Sequence, residues 1–126
     1  MISFDDLVLR QDSPIYQQIL RFVQRGLVAG TVQPGDELPS RRMLSALLGV
    51  NPNTVQRAYR LLEDQGLIQS RAGSGSCVQA DADTIGALRR ELLQEDLGGF
   101  VAAVKQSRAS LAEAQALLQT LWEEQP

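Results

Sequence analysis

The first third of the chain contains an apolar run at helical spacing that ends in a stretch rich in proline and glycine. A first helix is expected to begin at Ser13-Pro14, where serine can cap it and proline fits the first helical position, and to end at Gly30. The segment VQPGDELPS, residues 32–40, resists helix because of its prolines and glycine. It is therefore expected to form a turn and a short extended piece.

Two helices joined by a tight turn, and then a hairpin, are expected next. Ser40 caps a short helix that Gly49 ends, and Asn51 caps a longer helix that closes at Gly66. Residues 67–80 contain two short alternating runs around a glycine-containing turn, which predicts a β-hairpin. The order helix, short strand, helix, tight turn, helix and hairpin is typical of a winged helix-turn-helix. The predicted fold class is α+β, with this winged head followed by a short two-helix tail.

The tail is predicted to contain two amphipathic helices. Asp83 can start the first, the glycine pair 98–99 interrupts it, and Ser110 begins a capping box that starts the second. Two short helices cannot bury this much apolar surface alone, so they pack on the head or, the favoured alternative, on a second chain. The expected domains are a winged head, 1–80, and a dimerisation tail, 81–126. The residues expected at the dimer surface are Leu88, Leu92, Leu97, Phe100, Val104, Leu111, Ala114, Leu118, Leu121 and Trp122.

The composition excludes several classes of protein. No apolar run approaches the roughly 20 residues of a membrane span, and the N-terminus lacks the apolar core of a secretory signal. The chain has no histidine and a single cysteine, Cys77, which excludes histidine-based nucleophilic catalysis and the usual zinc sites. We therefore expect no enzyme activity, no cofactor and no metal. One cysteine fits a reducing cytoplasm, and its place in a strand favours packing over redox chemistry.

The charge is distributed unevenly along the chain. The net charge is −3, yet residues 1–80 carry eight Lys/Arg against seven Asp/Glu, a net of +1. Residues 81–126 carry four against eight, a net of −4. Four arginines and no acid lie between Leu38 and Leu62. Since salt screens charges beyond about 10 Å, this local patch matters more to a phosphate backbone than the total does. On charge alone, a solvated basic face is the favoured alternative.

The third helix begins with polar side chains that do not resemble a core. In a winged helix-turn-helix, these first turns enter the DNA major groove. Asn and Gln can pair there with adenine, Arg with guanine, and Thr with a phosphate or a thymine methyl. Asn51 is better explained as a plain cap, one of the two arginines after Ser40 can face the duplex, and the wing glycines are equally explained by their turn. The residues expected at DNA are Ser40, Arg41, Arg42, Asn51, Asn53, Thr54, Gln56, Arg57, Arg71, Gly73 and Gly75.

Four motifs resemble the GntR family of bacterial transcription regulators. They are PIYQQI (14–19), G-x-x-x-P-G-D-x-L-P-S (30–40), LGVNPNTVQRAYRLLEDQGLI (48–68) and the G-x-G wing (73–75), and VNPNTVQRAY resembles the YtrA subfamily. By this resemblance, Arg42 matches the arginine that contacts DNA after the L-P-S stretch. Asn53, Thr54, Gln56 and Arg57 match the family's DNA-reading positions, and Gly75 matches its wing tip.

The resemblance implies a cytoplasmic, homodimeric repressor of double-stranded DNA whose short helical tail dimerises. Two heads related by a two-fold axis would read an inverted repeat. A small-molecule effector is implied, but its identity is unknown. The alternative is a protein-interaction module whose winged domain has lost DNA binding. The low pI and the weakly basic wing favour that alternative, whereas the arginine-rich, acid-free stretch argues against it.

Overall fold

The structure, a computed structural model, describes residues 1–71 and 75–126. Its contacts divide the chain into two compact units, Met1–Arg89 and Arg90–Pro126. The predicted fold class, a winged helix-turn-helix followed by a two-helix tail, is confirmed. In chain order the elements are α1 (Ile15–Ala29), α2 (Arg41–Leu48), α3 (Pro52–Asp64), β1 (Ile68–Arg71), β2 (Gly75–Val78), α4 (Ala82–Gln106) and α5 (Leu111–Glu124).

The two central helices of the head begin and end where their local chemistry predicts. The Ser40 side chain accepts a backbone hydrogen bond from the first turn of α2, and Gly49 ends that helix in the left-handed region, with φ of 68°. The Asn51 side chain accepts a hydrogen bond from the Asn53 N–H at 2.8 Å at the start of α3. Each of these bonds satisfies a backbone donor that the helix itself leaves unpaired.

The predicted cap of α1 is wrong by one residue. Pro14 occupies the cap position without a side-chain hydrogen bond, and the helix begins at Ile15. The Ser13 carbonyl instead accepts a hydrogen bond from the Gln18 side-chain amide at 2.9 Å. That amide also pairs with both backbone groups of Arg10, at 2.8 Å each. The Gln18 side chain therefore ties the segment that precedes α1 to the first turn of the helix.

The core of the head forms where α1 and α2 pack against α3. The apolar sides of α1 and α3 are largely buried, whereas α2 buries Leu44 and leaves Met43 and Leu47 exposed. Burial of each large side chain stabilises the fold by about 1.5–3 kcal/mol. The N-terminal segment adds Phe4, whose ring lies 5.2 Å from that of Phe22. The buried helical residues include Ile19, Val23, Leu27, Leu44, Val55, Ala58, Tyr59 and Leu62.

The wing is an antiparallel pair of strands with a short third segment beside it. Strands β1 and β2 pair from Ile68 opposite Val78 to Arg71 opposite Gly75. The extended piece expected within residues 32–40 is reduced to one bridge residue, Glu37, opposite the buried Cys77. Hydrogen bonds on either side of this bridge, at 2.8 and 2.9 Å, fix the segment between α1 and α2 on the wing.

The long tail helix α4 begins earlier than predicted and has a different cap. Its first residue is Ala82, and the Asp81 carboxylate accepts a hydrogen bond from the Thr84 N–H at 2.8 Å. This bond lowers the pKa of the Asp81 carboxyl. Asp83 lies in the first helical turn, where its charge complements the positive end of the helix dipole.

The predicted interruption of α4 at the glycine pair 98–99 is wrong. The helix runs without a break from Ala82 to Gln106. Glycine weakens a helix by about 1 kcal/mol relative to alanine, but it does not force the helix to end. The second tail helix starts as predicted, since the Ser110 side chain accepts a hydrogen bond from the Glu113 N–H at 3.1 Å.

Candidate nucleic-acid interface

Helix α3 has one buried side and one polar side. Asn53, Gln56, Arg57 and Arg60 follow one another at spacings of three, one and three residues, which places them on one face. Gln56 is half-buried and the other three are exposed, while Thr54 is half-buried at the edge of this face. The sequence predicted four of these five positions. It missed Arg60, which the spacing from Asn53 would have identified.

Arg57 is stacked on an aromatic ring from α1. Its guanidinium carbon lies 3.8 Å from the centroid of the half-buried Tyr16 ring. The Tyr16 hydroxyl accepts a hydrogen bond from the Gln17 side-chain amide at 3.2 Å. A guanidinium over an aromatic face is held by cation–π attraction. This contact could not be predicted from the sequence, because the two residues lie on different helices.

The structure separates the two arginines that open α2. Arg41 is half-buried, and its guanidinium carbon lies 5.2 Å from the Tyr59 ring centroid. Its Nε atom is shielded from solvent and has no hydrogen-bond partner among the residues that the structure describes. Arg42 is exposed. Of the two, Arg42 is therefore the one whose side chain is open to solvent, while Arg41 lies beside the Tyr59 ring.

Tyr59 connects α3 to the segment that precedes α2. Its side chain is fully buried, and its hydroxyl donates a hydrogen bond to the Pro39 carbonyl at 2.7 Å. Burial raises the pKa of the Tyr59 hydroxyl well above the ordinary value for tyrosine. The neutral hydroxyl therefore acts as a fixed structural donor that positions the start of α2 relative to α3.

The N-terminal ends of both central helices keep their positive partial charge. Neither α2 nor α3 has an acidic residue in its first turn, whereas α4 has Asp83 and α5 has Glu113. Unpaired backbone N–H groups and the helix dipole favour an anion at such an end. A phosphate group can therefore approach the start of α2, where Ser40 is exposed, without repulsion from a nearby carboxylate.

In the wing, Arg71 is exposed at the end of β1, opposite Gly75. Gly75 has a φ of 76°, a conformation that favours glycine, so the turn itself explains its residue type. Ser70 donates a hydrogen bond to the Glu63 carboxylate and thereby ties the wing to α3. Gly73, the third predicted wing residue, lies outside the described residues.

A second feature of the head is a cleft of about 540 Å³ beside the N-terminal segment. Its volume is within the range of small-molecule sites. No described group of three or more Cys, Asp or Glu side chains is arranged to hold a metal ion. None of the described helices is both long and apolar enough to cross a bilayer. The cleft is lined by Met1, Ile2, Ser3, Asp6, Phe22, Arg25, Gly26, Thr31, Val32 and Asp36.

The ten predicted dimer-surface residues differ in their exposure. Leu88, Leu92 and Ala114 are buried within the single chain, so they offer little surface to a second chain. The place of all ten at a dimer surface stays a prediction, because burial within one chain does not show which residues a second chain contacts. Val104 is half-buried. The other six are exposed, namely Leu97, Phe100, Leu111, Leu118, Leu121 and Trp122, and Leu93, Val101 and Leu117 are exposed beside them.

Comparisons with known proteins agree with this geometry. The family model described as "Bacterial regulatory proteins, gntR family" matches residues 15–78. The chain is 37% identical over 101 residues to the uncharacterised HTH-type transcriptional regulator YhcF of Bacillus subtilis strain 168, over 80% of this chain and 84% of YhcF. It is 40% identical over 84 residues to the HTH-type transcriptional repressor YtrA of the same organism, over 67% of this chain and 62% of YtrA.

A solved structure matches both units of the chain. A GntR family transcriptional regulator from Listeria monocytogenes has a TM-score of 0.80 and 29% identity, over 89% of this chain and 98% of that one. The family match covers half of the chain and includes all three helices of the head and the wing strands. The chain therefore belongs to the GntR family of bacterial transcription regulators, in its YtrA subfamily, and it is a DNA-binding protein and not an enzyme.

Proposed function

We propose that this regulator is a homodimeric repressor that binds an inverted-repeat operator in the cytoplasm, where the bacterial chromosome lies. The head, 1–80, would bind DNA, and the tail, 81–126, would hold two copies together. The observation that carries the proposal is the polar face of α3, which keeps Asn53 and Arg57 exposed on a helix whose other side is core. Arg57 also contacts the Tyr16 ring, but neither Asn53 nor Arg57 is part of the buried core.

The residues proposed to serve DNA binding have different roles. Arg42 and Ser40 contact phosphates, because they lie at the start of α2, which has no acid in its first turn. Asn53, Gln56 and Arg57 read base edges, since amides pair with adenine and arginine with guanine. Thr54 contacts a phosphate or a thymine methyl, and Arg71 and Gly75 approach the adjacent backbone. Asn51 acts as the cap that holds α3 in place, and Arg41 supports the helix pair from beside Tyr59.

The tail supports the dimer because its apolar residues remain exposed in one chain. Leu111 and Trp122 are 74% and 78% exposed, and Leu97 and Leu121 are about half exposed. Exposed apolar surface of this extent on two helices is typical of an interface. Repression is proposed because the similar protein YtrA is a named transcriptional repressor. Occupancy of an operator by two heads would exclude polymerase.

Selection from a random duplex-DNA pool tests operator binding directly. At near-physiological salt, the purified protein is expected to enrich an inverted repeat with two equal half-sites about one helical turn apart. Arg42→Ala should weaken binding to every sequence and lower the salt dependence, whereas Gln56→Ala should change the preferred base. A failure to enrich any sequence would refute the operator proposal and favour the protein-interaction alternative.

Sedimentation measurements test the dimer separately. Leu121→Glu places a charge on the apolar face of α5 and is expected to shift the protein from dimer to monomer. Ala116→Glu is the matched control because Ala116 is exposed and lies about 140° around the same helix from Leu121. A monomeric native chain, or equal dissociation by both variants, would contradict dimerisation through this face.

The small-molecule effector is the least defined part of the proposal. The cleft of about 540 Å³ beside Phe22 and Asp36 supports a site in the head, because it has apolar and polar lining. Asp36 also accepts the Val78 N–H at 2.8 Å through its carbonyl, so an occupant beside it would lie next to the wing. Screening of metabolites for a shift in the unfolding temperature, followed by release of the selected operator, would identify such a ligand.

A further inference from the structure

The contact between Arg57 and Tyr16 joins α3, whose exposed face is the proposed DNA-reading surface, to α1, which lies outside the helix-turn-helix pair. Tyr16 lies in the first turn of α1, which packs against α3, and Arg57 lies on the exposed face of α3. The distance of 3.8 Å from the guanidinium carbon to the ring centroid is that of direct face contact. The ring is half-buried and therefore anchored, whereas the arginine is exposed.

Stacking orders an arginine without using its hydrogen-bond donors. The guanidinium has five N–H groups, all in its plane, and the aromatic ring covers only its face. The edge stays available for a guanine or a phosphate, which arginine recognises with donors in that plane. An unstacked arginine has many rotamers and loses this freedom on binding. A stacked one has already lost part of it.

We propose that Tyr16 is a positioning residue for DNA recognition, whose ring holds the Arg57 guanidinium in the orientation that contacts DNA. This inference rests on the proposed function, because it needs Arg57 at the duplex. The ring is the part of Tyr16 that contacts the guanidinium, whereas its hydroxyl accepts a hydrogen bond from the Gln17 side-chain amide at 3.2 Å. Tyr16 would thus tune affinity from a helix outside the helix-turn-helix pair.

A double-mutant cycle on full-length protein tests this role. The probes are the inverted-repeat duplex enriched by selection and a random-sequence duplex of equal length. Tyr16→Leu removes the aromatic face and is expected to weaken binding to the enriched duplex by roughly 3–10-fold, the range of one partly exposed cation–π contact. Tyr16→Phe keeps the face and should bind within about twofold of the native protein.

The coupling between the two residues is the decisive measurement. In an Arg57→Ala background, Tyr16→Leu should change affinity by less than about twofold, because the group that it positions is gone. Arg57→Lys keeps the charge but not the plane, and should lose affinity as Tyr16→Leu does. Thermal unfolding of each variant excludes a general loss of fold, and Tyr16→Phe provides rescue by a conservative change.

Three outcomes would overturn the proposal. Equal losses for Tyr16→Leu and Tyr16→Phe would assign the effect to a contact made by the hydroxyl. Equal losses for Tyr16→Leu with and without Arg57 would show that the two residues act independently. An Arg57→Ala variant that binds as the native protein does would overturn the positioning role while operator binding stands. Failure of the proposed function is distinct, because then no duplex is enriched at all.

Discussion

Tyr59→Phe removes a single buried hydroxyl and tests how the two central helices of the head are held together. The hydroxyl donates to the Pro39 carbonyl at 2.7 Å, and both residues are buried. Phenylalanine fills nearly the same volume, so cavity formation contributes little. The variant therefore loses one hydrogen bond and leaves the Pro39 carbonyl unpaired, away from water.

The expected loss follows from these two terms. A neutral hydrogen bond contributes about 1 kcal/mol net, and an unpaired buried acceptor costs about 1–3 kcal/mol. We expect the free energy of unfolding to fall by about 2 kcal/mol and the unfolding temperature by about 5–10 °C. Urea and thermal unfolding measure both. Tyr16→Phe is the matched control, and its exposed hydroxyl should contribute less than about 0.5 kcal/mol.

The pH dependence provides an independent test of the same group. Burial raises the pKa of the Tyr59 hydroxyl in the folded protein above its value of about 10 in the unfolded chain. Below pH 10 both states keep the proton, so Tyr59 adds no pH dependence. As pH rises above about 10 the unfolded state ionises first, and stability falls. The difference in stability between native protein and Tyr59→Phe should therefore narrow there. A difference below 0.5 kcal/mol at neutral pH, or one that stays constant through pH 11, would refute this reasoning.

Two further substitutions test close packing and the turn between the central helices. Gly26→Ala would place its Cβ 2.6 Å from a methyl group of the buried Val32 and should destabilise the head by about 1–3 kcal/mol, measured by urea unfolding. Gly86→Ala is the control, because a Cβ there meets open space on α4, and it should stabilise the protein by about 0.5–1 kcal/mol. Equal changes in the free energy of unfolding for the two variants would contradict the close contact between residue 26 and Val32. Ser45→Ala tests the turn between α2 and α3, because it removes the hydrogen bond that the Ser45 hydroxyl donates to the Val50 carbonyl at 2.5 Å. It should lower the free energy of unfolding by about 1 kcal/mol. An unchanged urea midpoint would show that water replaces that bond.

Element boundaries were predictable where each backbone group is satisfied by a near neighbour. Ser40, Gly49 and Asn51 act on the next turn of the chain, so local rules locate them. Ser13 was wrong as a cap because the helix begins one residue later than predicted, with Pro14 in the cap position. The glycine pair in α4 failed as a break because a helix of this length tolerates a penalty of about 1 kcal/mol for each glycine.

The candidate site was predictable as a face but not as an arrangement. The polar positions of α3 follow from helical spacing, so Asn53, Gln56 and Arg57 were expected on the outer side. Their supports were not expected, because they come from distant parts of the chain. Tyr16 precedes Arg57 by about forty residues, and no periodic pattern connects them. A local rule has no information about such a pair until α1 packs against α3.

The same pair of residue types occurs twice in the head, and burial decides what each pair does. Arg41 beside Tyr59 has its Nε shielded, and the ring beneath it is fully buried, so this pair contributes to the support of α2 on α3. Arg57 over Tyr16 keeps its guanidinium at the surface, on the polar face of α3. Arg41 has one donor, Nε, shielded from solvent, whereas Arg57 is exposed and can present the donors at the edge of its guanidinium to a phosphate or a base. This contrast supports the proposal that Arg42, and not Arg41, contacts phosphate from α2, and that the Arg57 guanidinium is positioned for the proposed base reading by α3.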